Sequence, residues 1–298
     1  MKSMISNKLI IAIFFFISLL LFNNLSAIST GDFNEDFSVT WSPDHVNTSA
    51  DGRSRSMKLD RDSGSAMSSN NKFLFGAFDM KIKLIPGNSA GTVVAYYLTS
   101  DPNGVNHDEL DFEFLGNKEG KPYVLQTNVY ANGTGNREQR VGLWFDPTKD
   151  FHTYSIFWNF YQIVFMVDWV PIRTYRNHED QKVAYPGWKP MWLTASIWDG
   201  SSWATDGGRA KVDWSKAPYV ASFRDYKMDA CPWNGTNEKD CRAITPSQWW
   251  NNGTANTLTW YQRRLYRWVK KTQITYDYCM DAKRFNNSLP PECSLPAY

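Results

Sequence analysis

Three carboxylates occupy alternate positions in the segment His107–Phe114. In an extended strand this alternation places Glu109, Asp111 and Glu113 on one face together with His107, and it turns the intervening apolar side chains to the other face. Three neighbouring negative charges repel one another, and the stability of a sheet does not require them. The segment is therefore predicted to be catalytic rather than structural.

Cleavage of a glycosidic bond is the chemistry that uses such an arrangement, because one carboxylate attacks the anomeric carbon and a second carboxyl group protonates the departing oxygen. The Cα atoms of Glu109 and Glu113 lie on the order of 13 Å apart in an extended strand. Two glutamates that lean together can still reach the roughly 5 Å carboxyl separation of retaining enzymes. Asp111 is expected to orient the nucleophile and to raise the pKa of the acid by its charge. Spacing alone does not decide which glutamate attacks.

Two other roles for the acidic strand are weaker interpretations. A solvated strand would explain the charges without any chemistry, and a calcium site would use the same oxygen ligands. Regular alternation along a strand does not supply the geometry of a calcium loop, so catalysis is preferred. No metal or organic cofactor is expected, and the cysteines lack the paired short spacing of a zinc site.

The elements that must hold this strand have the pattern of an all-β protein. Short apolar segments between residues 33 and 219 are separated by turn signals such as Pro86-Gly87 and Gly207-Gly208. The clearest segment, Phe78–Leu84, alternates apolar and polar residues as a half-buried strand does. This rhythm predicts a β-sandwich without βαβ units, and residues 28–222 are assigned to it.

The remaining segment, residues 223–298, is predicted to be an extension with a helix packed on the sandwich. Its apolar residues recur at helical spacing, and its basic residues lie mostly opposite. The basic face is interpreted as solvated, and binding of an acidic partner is the alternative. The apolar positions are Leu258, Tyr261, Leu265, Trp268 and Val269, and the basic positions are Arg263, Arg264, Arg267, Lys270 and Lys271.

All four cysteines lie in this extension. Four cysteines permit three pairings, and an exported protein forms disulfides. The sequential pairing, Cys231 with Cys241 and Cys279 with Cys293, closes the shortest loops and is favoured.

The first 27 residues have the order of a cleaved secretory signal, because two lysines precede the apolar run Leu9–Phe22 and small residues follow it. The run is shorter than the roughly 20 residues of a membrane span, so no membrane is expected for the mature form. Possible glycan acceptors also support export. These acceptors are Asn47, Asn132, Asn234, Asn252 and Asn286.

Composition excludes one class of partner. The chain has 32 basic and 30 acidic residues. The leader contains two of the lysines and no acidic residue, so 30 basic and 30 acidic residues remain after it is removed. A neutral chain lacks the basic excess that drives binding to nucleic acid. Aromatic residues make up 16% of the chain, with 14 Trp, and some of these rings are expected to stack on sugar.

The segment His107-Asp108-Glu109-Leu110-Asp111-Phe112-Glu113-Phe114-Leu115-Gly116 resembles the signature of the xyloglucan endotransglucosylase/hydrolases of glycoside hydrolase family 16. The resemblance continues through Leu125–Tyr130, Asn136–Gln139, Leu143–Thr148 and Pro290–Cys293. It implies a concanavalin-like β-jelly-roll with a glucan-binding face and a C-terminal extension on the acceptor side.

The same resemblance assigns roles to residues. It implies that Glu109 is the nucleophile, Asp111 its helper and Glu113 the general acid and base. It implies xyloglucan as both donor and acceptor, in an enzyme secreted to the plant cell wall and apoplast, and a monomer is expected. The implied substrate-binding residues are His107, Gln126, Thr127, Asn128, Asn136, Arg137, Glu138, Trp198, Trp203, Ala204, Gly208 and Arg284.

The motif does not decide the fate of the glycosyl-enzyme. Family hydrolases tend to have a longer loop where residues 130–139 stand, so the short loop here favours transfer over hydrolysis. A glucan-binding lectin is the alternative from another class, since one sandwich can serve either purpose. The intact acidic triplet argues against a lectin.

Overall fold

The computed structural model describes residues 31–298, and the predicted secretory leader lies outside the described residues. Within this range the chain forms fourteen strands and three α-helices. The strands are β1 (Phe37–Trp41), β2 (Val46–Thr48), β3 (Ser54–Leu59), β4 (Ser65–Lys83), β5 (Thr92–Thr99), β6 (Glu109–Leu115), β7 (Val124–Tyr130), β8 (Gln139–Gly142), β9 (His152–Trp158), β10 (Gln162–Val167), β11 (Val170–Arg176), β12 (Met191–Asp199), β13 (Tyr219–Pro232) and β14 (Ile274–Asp277). The helices are α1 (Phe33–Asp36), α2 (Glu238–Arg242) and α3 (Trp260–Thr272).

The strands form two antiparallel layers that share one long strand. The first layer has the order β1-β4-β12-β5-β6-β7-β8-β14, with β6 near its centre. The second layer has the order β2-β3-β13-β4-β9-β10-β11. This jelly-roll-like sandwich confirms the predicted all-β class.

Strand β4 passes from one layer to the other at Phe75 and Gly76. Both residues have positive φ, of 71° and 144°. Before them β4 pairs with β12, and after them it pairs with β9 and β13. A Cβ on Gly76 would lie 2.3 Å from the Cβ of Ala230, so the close approach of β13 requires glycine at the bend.

The core lies between the two layers and is largely aromatic. Alternate residues of β4 predicted to face inward, Phe78, Met80 and Ile82, are fully buried. On β6 the same alternation buries Phe112 and Phe114, which pack edge-on against Tyr154 of the second layer. Packing on this side fixes which face of β6 carries the acids.

The C-terminal extension adds a strand to the first layer, because β14 pairs with β8. The two predicted disulfides are confirmed, Cys231–Cys241 and Cys279–Cys293. Strand β13 runs without a break through residue 222 and pairs with β4 as far as Pro232. None of the helices in residues 31–298 is long and apolar enough to cross a membrane.

The predicted C-terminal helix is confirmed as α3, but the prediction of its packing face was partly wrong. A capping box of Thr259 and Gln262 starts the helix. It packs on β11 through Val269 and also through Tyr266, which the sequence pattern did not mark. Tyr261 is 64% exposed, because the helix turns only a narrow apolar stripe to the sandwich.

Candidate active site

Strand β6 carries the three predicted acids on the open face of the first layer. Glu109 and Glu113 are half-buried and Asp111 is buried, while the residues between them are completely buried in the core. In register, Asp111 lies opposite Asn128 of β7, and Glu113 lies opposite Gln126. The alternation predicted from sequence therefore places the acids on one face.

Two adjoining cavities of about 540 and 210 Å³ lie over this face. They share Glu113, Asn128 and Tyr130, so we describe them as the two ends of one cleft. The smaller end is bounded by β5 and β12, and the larger end reaches β8 and the extension. The smaller end is lined by Ala95, Tyr97, Pro102, Glu109, Asp111, Ser196 and Trp198, and the larger end by Gln126, Glu138, Arg140, Trp203, Tyr276 and Arg284.

Glu113 has the electrostatics of a general acid. Burial, together with the charges of Glu109 and Glu138, raises the pKa of its carboxyl to about 7. The Nε2 atom of Gln126 donates a hydrogen bond of 2.7 Å to Glu113 Oε2, which acts in the opposite direction. At mildly acidic pH this side chain therefore carries a proton next to the larger end of the cleft.

Glu109 and Asp111 form a hydrogen-bonded pair beside it. Burial raises the pKa of Asp111 well above its ordinary value, and the adjacent glutamates add to this effect. Burial also raises the pKa of Glu109, but an interaction with Thr99, the nearby His107 and the hydrogen bond with Asp111 act to lower it. A protonated Asp111 that donates to Glu109 keeps Glu109 in the ionised form that a nucleophile needs.

This geometry corrects one expectation. Asp111 was predicted to raise the pKa of the acid by its negative charge. The largest cause for Glu113 is burial, followed among charges by Glu109 and Glu138. Asp111 is the most deeply buried of the three acids and is held neutral, so it acts on Glu109 rather than on Glu113.

His107 lies two residues before β6, next to Glu109. Its Nδ1 atom lies 2.7 Å from the carbonyl oxygen of Gly104, which assigns the ring proton to that nitrogen. Its Nε2 atom lies 4.0 Å from Glu109 Oε1, and its ring stacks on Tyr130 at 5.0 Å. His107 therefore packs beside Glu109 and Tyr130, two residues that line the cleft.

Arg284 organises the larger end of the cleft. Its guanidinium donates to both carboxylate oxygens of Glu138, at 2.6 and 3.1 Å, and to the side-chain oxygen of Asn136 at 2.9 Å. It also donates to the hydroxyl of Tyr276 at 3.0 Å. The extension thus supplies Arg284 and Tyr276 to a cleft whose floor belongs to the sandwich.

Trp198 and Trp203 form an aromatic wall, in which Trp198 lines the smaller end of the cleft and Trp203 lines the larger end. Their ring centres lie 6.1 Å apart, and both side chains are partly exposed. Ala204 is buried against Val93, and so supports the wall rather than facing the cleft. Gly208 is buried in the same loop at φ 83°, where a Cβ would lie 2.1 Å from the oxygen of Ser202. Both residues therefore shape the loop that carries Trp203.

Two predicted substrate-binding residues point away from the cleft. Thr127 is completely buried and lies on the core face of β7, opposite to Gln126 and Asn128. Arg137 is also buried, and its Nε donates to Glu292 Oε1 at 2.6 Å. Alternation excludes Thr127 from the open face, and the buried ion pair holds Arg137 between the sandwich and the extension.

Seven residues that line the cleft were missed: Ala95, Tyr97, Pro102, Tyr130, Arg140, Ser196 and Tyr276. Arg140 follows Glu138 at a spacing of two and donates to Gln126 Oε1 at 2.8 Å, so strand alternation would have found it. Tyr130 continues the alternation of Gln126 and Asn128. Tyr276 comes from the extension, and its position depends on the pairing of β14 with β8, which no local pattern marks.

The remaining predicted features are placed as follows. All five predicted glycan acceptors are exposed, and Asn132 Oδ1 accepts a hydrogen bond from Lys189 at 2.7 Å. Among residues 31–298, no group of three or more His, Cys, Asp or Glu side chains has the arrangement of a metal site.

A sandwich whose open face carries two glutamates around an aspartate on one strand defines a glycoside hydrolase of the two-carboxylate type. The comparisons with known proteins identify its family. Residues 33–216 match Glycosyl hydrolases family 16, and residues 245–293 match the Xyloglucan endo-transglycosylase (XET) C-terminus. The chain belongs to family 16 and, within it, to the xyloglucan endotransglucosylase/hydrolases.

Relatives and solved structures agree with this assignment. The chain is 61% identical to the probable xyloglucan endotransglucosylase/hydrolase protein 10 of Arabidopsis thaliana, over 94% of this chain and 93% of that protein. It is 47% identical to xyloglucan endotransglucosylase protein 6 of Diospyros kaki, over 90% of each. Among solved structures, the Crh5 transglycosylase has a TM-score of 0.54 at 25% identity over 68% of this chain and 82% of that one. The Bacillus licheniformis β-glucanase, at 24% identity and a TM-score of 0.52 over 65% and 85%, shares the fold.

Proposed function

We propose that this enzyme cleaves the β-1,4-glucan backbone of xyloglucan by a retaining double displacement and transfers the glycosyl group to another xyloglucan chain. The observation that carries the proposal is the contrast between the two glutamates. Glu113 has a pKa of about 7, whereas Glu109 accepts from Asp111 and faces His107. The relatives named for this activity support xyloglucan as substrate.

The first step forms the covalent intermediate. A carboxylate oxygen of Glu109 bonds to the anomeric carbon, and the bond from that carbon to the departing chain breaks. The departing oxygen takes the proton of Glu113, which becomes a carboxylate. Asp111 holds the attacking oxygen in place, and the cleft end bounded by Tyr97, Ser196 and Trp198 binds the donor.

The second step transfers the glycosyl group. A hydroxyl of the acceptor chain gives its proton to Glu113 as its oxygen bonds to the anomeric carbon, and the bond to Glu109 breaks. Arg284, Glu138, Tyr276 and Trp203 line the acceptor end, where a bound sugar displaces water. An ordered acceptor favours transfer over hydrolysis, because it supplies a hydroxyl at high effective concentration.

Hydrolysis of xyloglucan is the second candidate, and it uses the same two steps with water as the acceptor. The larger end of the cleft, with a volume of about 540 Å³, has room for water when no sugar is bound. We propose further that the enzyme is secreted to the plant cell wall and acts there as a monomer, without nucleic acid or membrane partners. The exposed positions of the five predicted glycan acceptors support secretion.

The experiment uses purified protein, xyloglucan and a labelled xyloglucan oligosaccharide. Transfer incorporates label into polymer of high mass, whereas hydrolysis forms new reducing ends without incorporation. Glu109→Ala should abolish both products and retain polymer binding. Binding of xyloglucan by the unmodified protein without either product would overturn the proposal in favour of a lectin.

A further inference from the structure

Arg173 is a buried arginine that lies beneath the catalytic strand and is not part of the cleft. It belongs to β11 in the second layer, and 1% of its surface is exposed. Its guanidinium crosses the core to β7, where Nη1 donates to the carbonyl oxygen of Thr127 at 2.8 Å and to its Oγ1 at 3.1 Å. Thr127 lies in register with Phe112, the residue between Asp111 and Glu113.

This guanidinium forms no ion pair within the part of the chain that the structure describes. The rings of Phe165 and Tyr278 lie 5.8 Å from its central carbon, and its Nη2 atom has no hydrogen-bond partner. Asp277 also faces it, but that carboxylate binds Lys270 at 3.1 Å. Burial of an unpaired charge is costly, and a residue that retains such a charge is a candidate for a function.

The carboxylates on the cleft face of β6 indicate which groups the charge of Arg173 can stabilise. Basic side chains on the cleft side act on the two glutamates: His107 lies 4.0 Å from Glu109, and Arg140 lowers the pKa of Glu113. Asp111 lies between the glutamates, and the hydroxyls of Tyr97 and Tyr130 also lie in the field of these acids. The cation that favours the ionised form of Asp111 is Arg173, acting from the core side.

We propose that Arg173 is a positioning residue for the reaction: a fixed positive charge under β7 that stabilises negative charge on the Glu109–Asp111 pair and holds β7 in register beneath the substrate. Without this charge, the pair would retain protons to higher pH, and Glu109 would be ionised in a smaller fraction of molecules. The role assigned to Glu109 rests on the proposed function. The effect of Arg173 on the carboxyl groups does not depend on it.

The other groups that face Arg173 do not titrate in the same pH range. The ion pair raises the pKa of Lys270, and Lys270 lowers the pKa of Asp277 against the effect of burial. Burial raises the pKa of Tyr175 to about 12 and that of Tyr278 higher still. Tyr266, on α3, also faces Arg173 and has no carboxyl group. Between about pH 4 and 8, a change in titration therefore reports the acids of β6.

Arg55 provides a matched control on the far side of the sandwich. It is also buried, with 4% of its surface exposed, and its Nη2 donates to the carbonyl oxygen of Phe33 at 2.8 Å. Like Arg173 it has no carboxylate within ion-pair distance among the described residues, and burial lowers its pKa. It lies on β3 in the second layer and not beneath the acids of β6. Arg55→Met therefore measures how the loss of a buried arginine affects stability alone.

The test compares Arg173→Met, Arg173→Lys and Arg55→Met by NMR titration of protein labelled with ¹³C at Asp and Glu carboxyls, without substrate. Arg173→Met should raise the apparent pKa of the Glu109–Asp111 pair by about 1 unit, and Arg173→Lys should keep it near that of the unmodified enzyme. Arg55→Met should lower the melting temperature and leave this titration unchanged. The acidic limb of kcat/KM should move with the titration.

An unchanged carboxyl titration in Arg173→Met, with a fall in melting temperature like that of Arg55→Met, would overturn the proposal and leave a structural role. If Arg173→Met does not fold, Arg173→Gln keeps the hydrogen-bond donors without the charge and should show the same upward shift. Failure of the proposed function would appear separately, as an unmodified enzyme that forms no product while its carboxyls still respond to Arg173.

Discussion

The amide of Gln126 bridges Glu113, the proposed general acid, and Arg140: its Nε2 donates to Glu113 Oε2 at 2.7 Å, and its Oε1 accepts from Arg140 Nε at 2.8 Å. The bridge fixes the orientation of the amide, because only the nitrogen can donate to a carboxylate and only the oxygen can accept from a guanidinium. It also opposes the effect of burial on Glu113. The hydrogen bond from Gln126 thus lowers the pKa of Glu113.

Replacement of Gln126 by Leu should therefore raise the pKa of Glu113 above about 7. Loss of a hydrogen bond to the ionised form favours the protonated form, so the basic limb of the kcat/KM profile should move to higher pH. The acidic limb, which reports Glu109, should stay in place. A basic limb that moves to lower pH would contradict this account and indicate that Arg140, released from Gln126, binds Glu113 directly.

Arg284→Ala should raise the KM for the acceptor oligosaccharide by about tenfold or more, since hydrogen bonds to charged groups contribute about 1.5–3 kcal/mol. It should also raise the ratio of hydrolysis to transfer, because a poorly held acceptor competes less well with water. Both rates can be measured from one mixture of labelled oligosaccharide and xyloglucan. Arg264→Ala, on the exposed face of α3, is the matched control and should change neither. Equal effects of the two substitutions would remove Arg284 from the acceptor site.

Period-two alternation was sufficient to predict which residues of β6 share the open face, because a strand packed on a core has only one open face. Glu109 and Glu113 were placed on that face by counting, and the same rule excludes Thr127, which the family signature alone had included. The motif around the acids is local, and its geometry follows from the backbone of a single strand.

Features that depend on distant segments could not be predicted in this way. Arg137 and Glu292 are separated by 155 residues and meet only because the extension folds back on the sandwich. Arg173 lies in the opposite layer from β6 and β7, and its side chain crosses the core to reach Thr127. Tertiary packing places these residues, so neither periodicity nor spacing reveals their partners.

Glu113→Gln should stabilise the fold at neutral and alkaline pH. The folded carboxyl titrates at about 7 against an ordinary value of 4.5, so between these values the folded state binds more protons than the unfolded state. Stability of the unmodified enzyme therefore falls as pH rises through this range. A shift of this size lowers the free energy of unfolding by about 3 kcal/mol above pH 7. Glutamine does not ionise, so the variant does not lose this stability.

The measurement is urea unfolding of Glu113→Gln and the unmodified enzyme at pH 4.5 and pH 8. The variant should be the more stable of the two at pH 8, and the difference should shrink at pH 4.5, where both side chains are neutral in the fold. Activity should be lost at both values, because glutamine cannot donate a proton to the departing oxygen. A difference in stability that is independent of pH would contradict the raised pKa.

The two disulfides should differ in their effect on activity. Cys279–Cys293 closes a loop of 14 residues that contains Arg284, whereas Cys231–Cys241 closes a loop of 10 residues at the end of β13, away from the cleft. Removal of either should destabilise the fold by about 3 kcal/mol through the entropy of the unfolded chain. Only removal of Cys279–Cys293 should also weaken acceptor binding, because it frees the backbone that positions Arg284 against Glu138.

Double alanine variants of each pair test this directly. At a temperature where both variants remain folded, the Cys279/Cys293 variant should show a raised KM for the acceptor and a larger share of hydrolysis, with cleavage of the donor nearly unchanged. The Cys231/Cys241 variant should retain the acceptor KM of the unmodified enzyme despite a lower melting temperature. Equal loss of transfer in both variants would mean that the extension responds to stability alone and that its second disulfide has no separate role in holding Arg284.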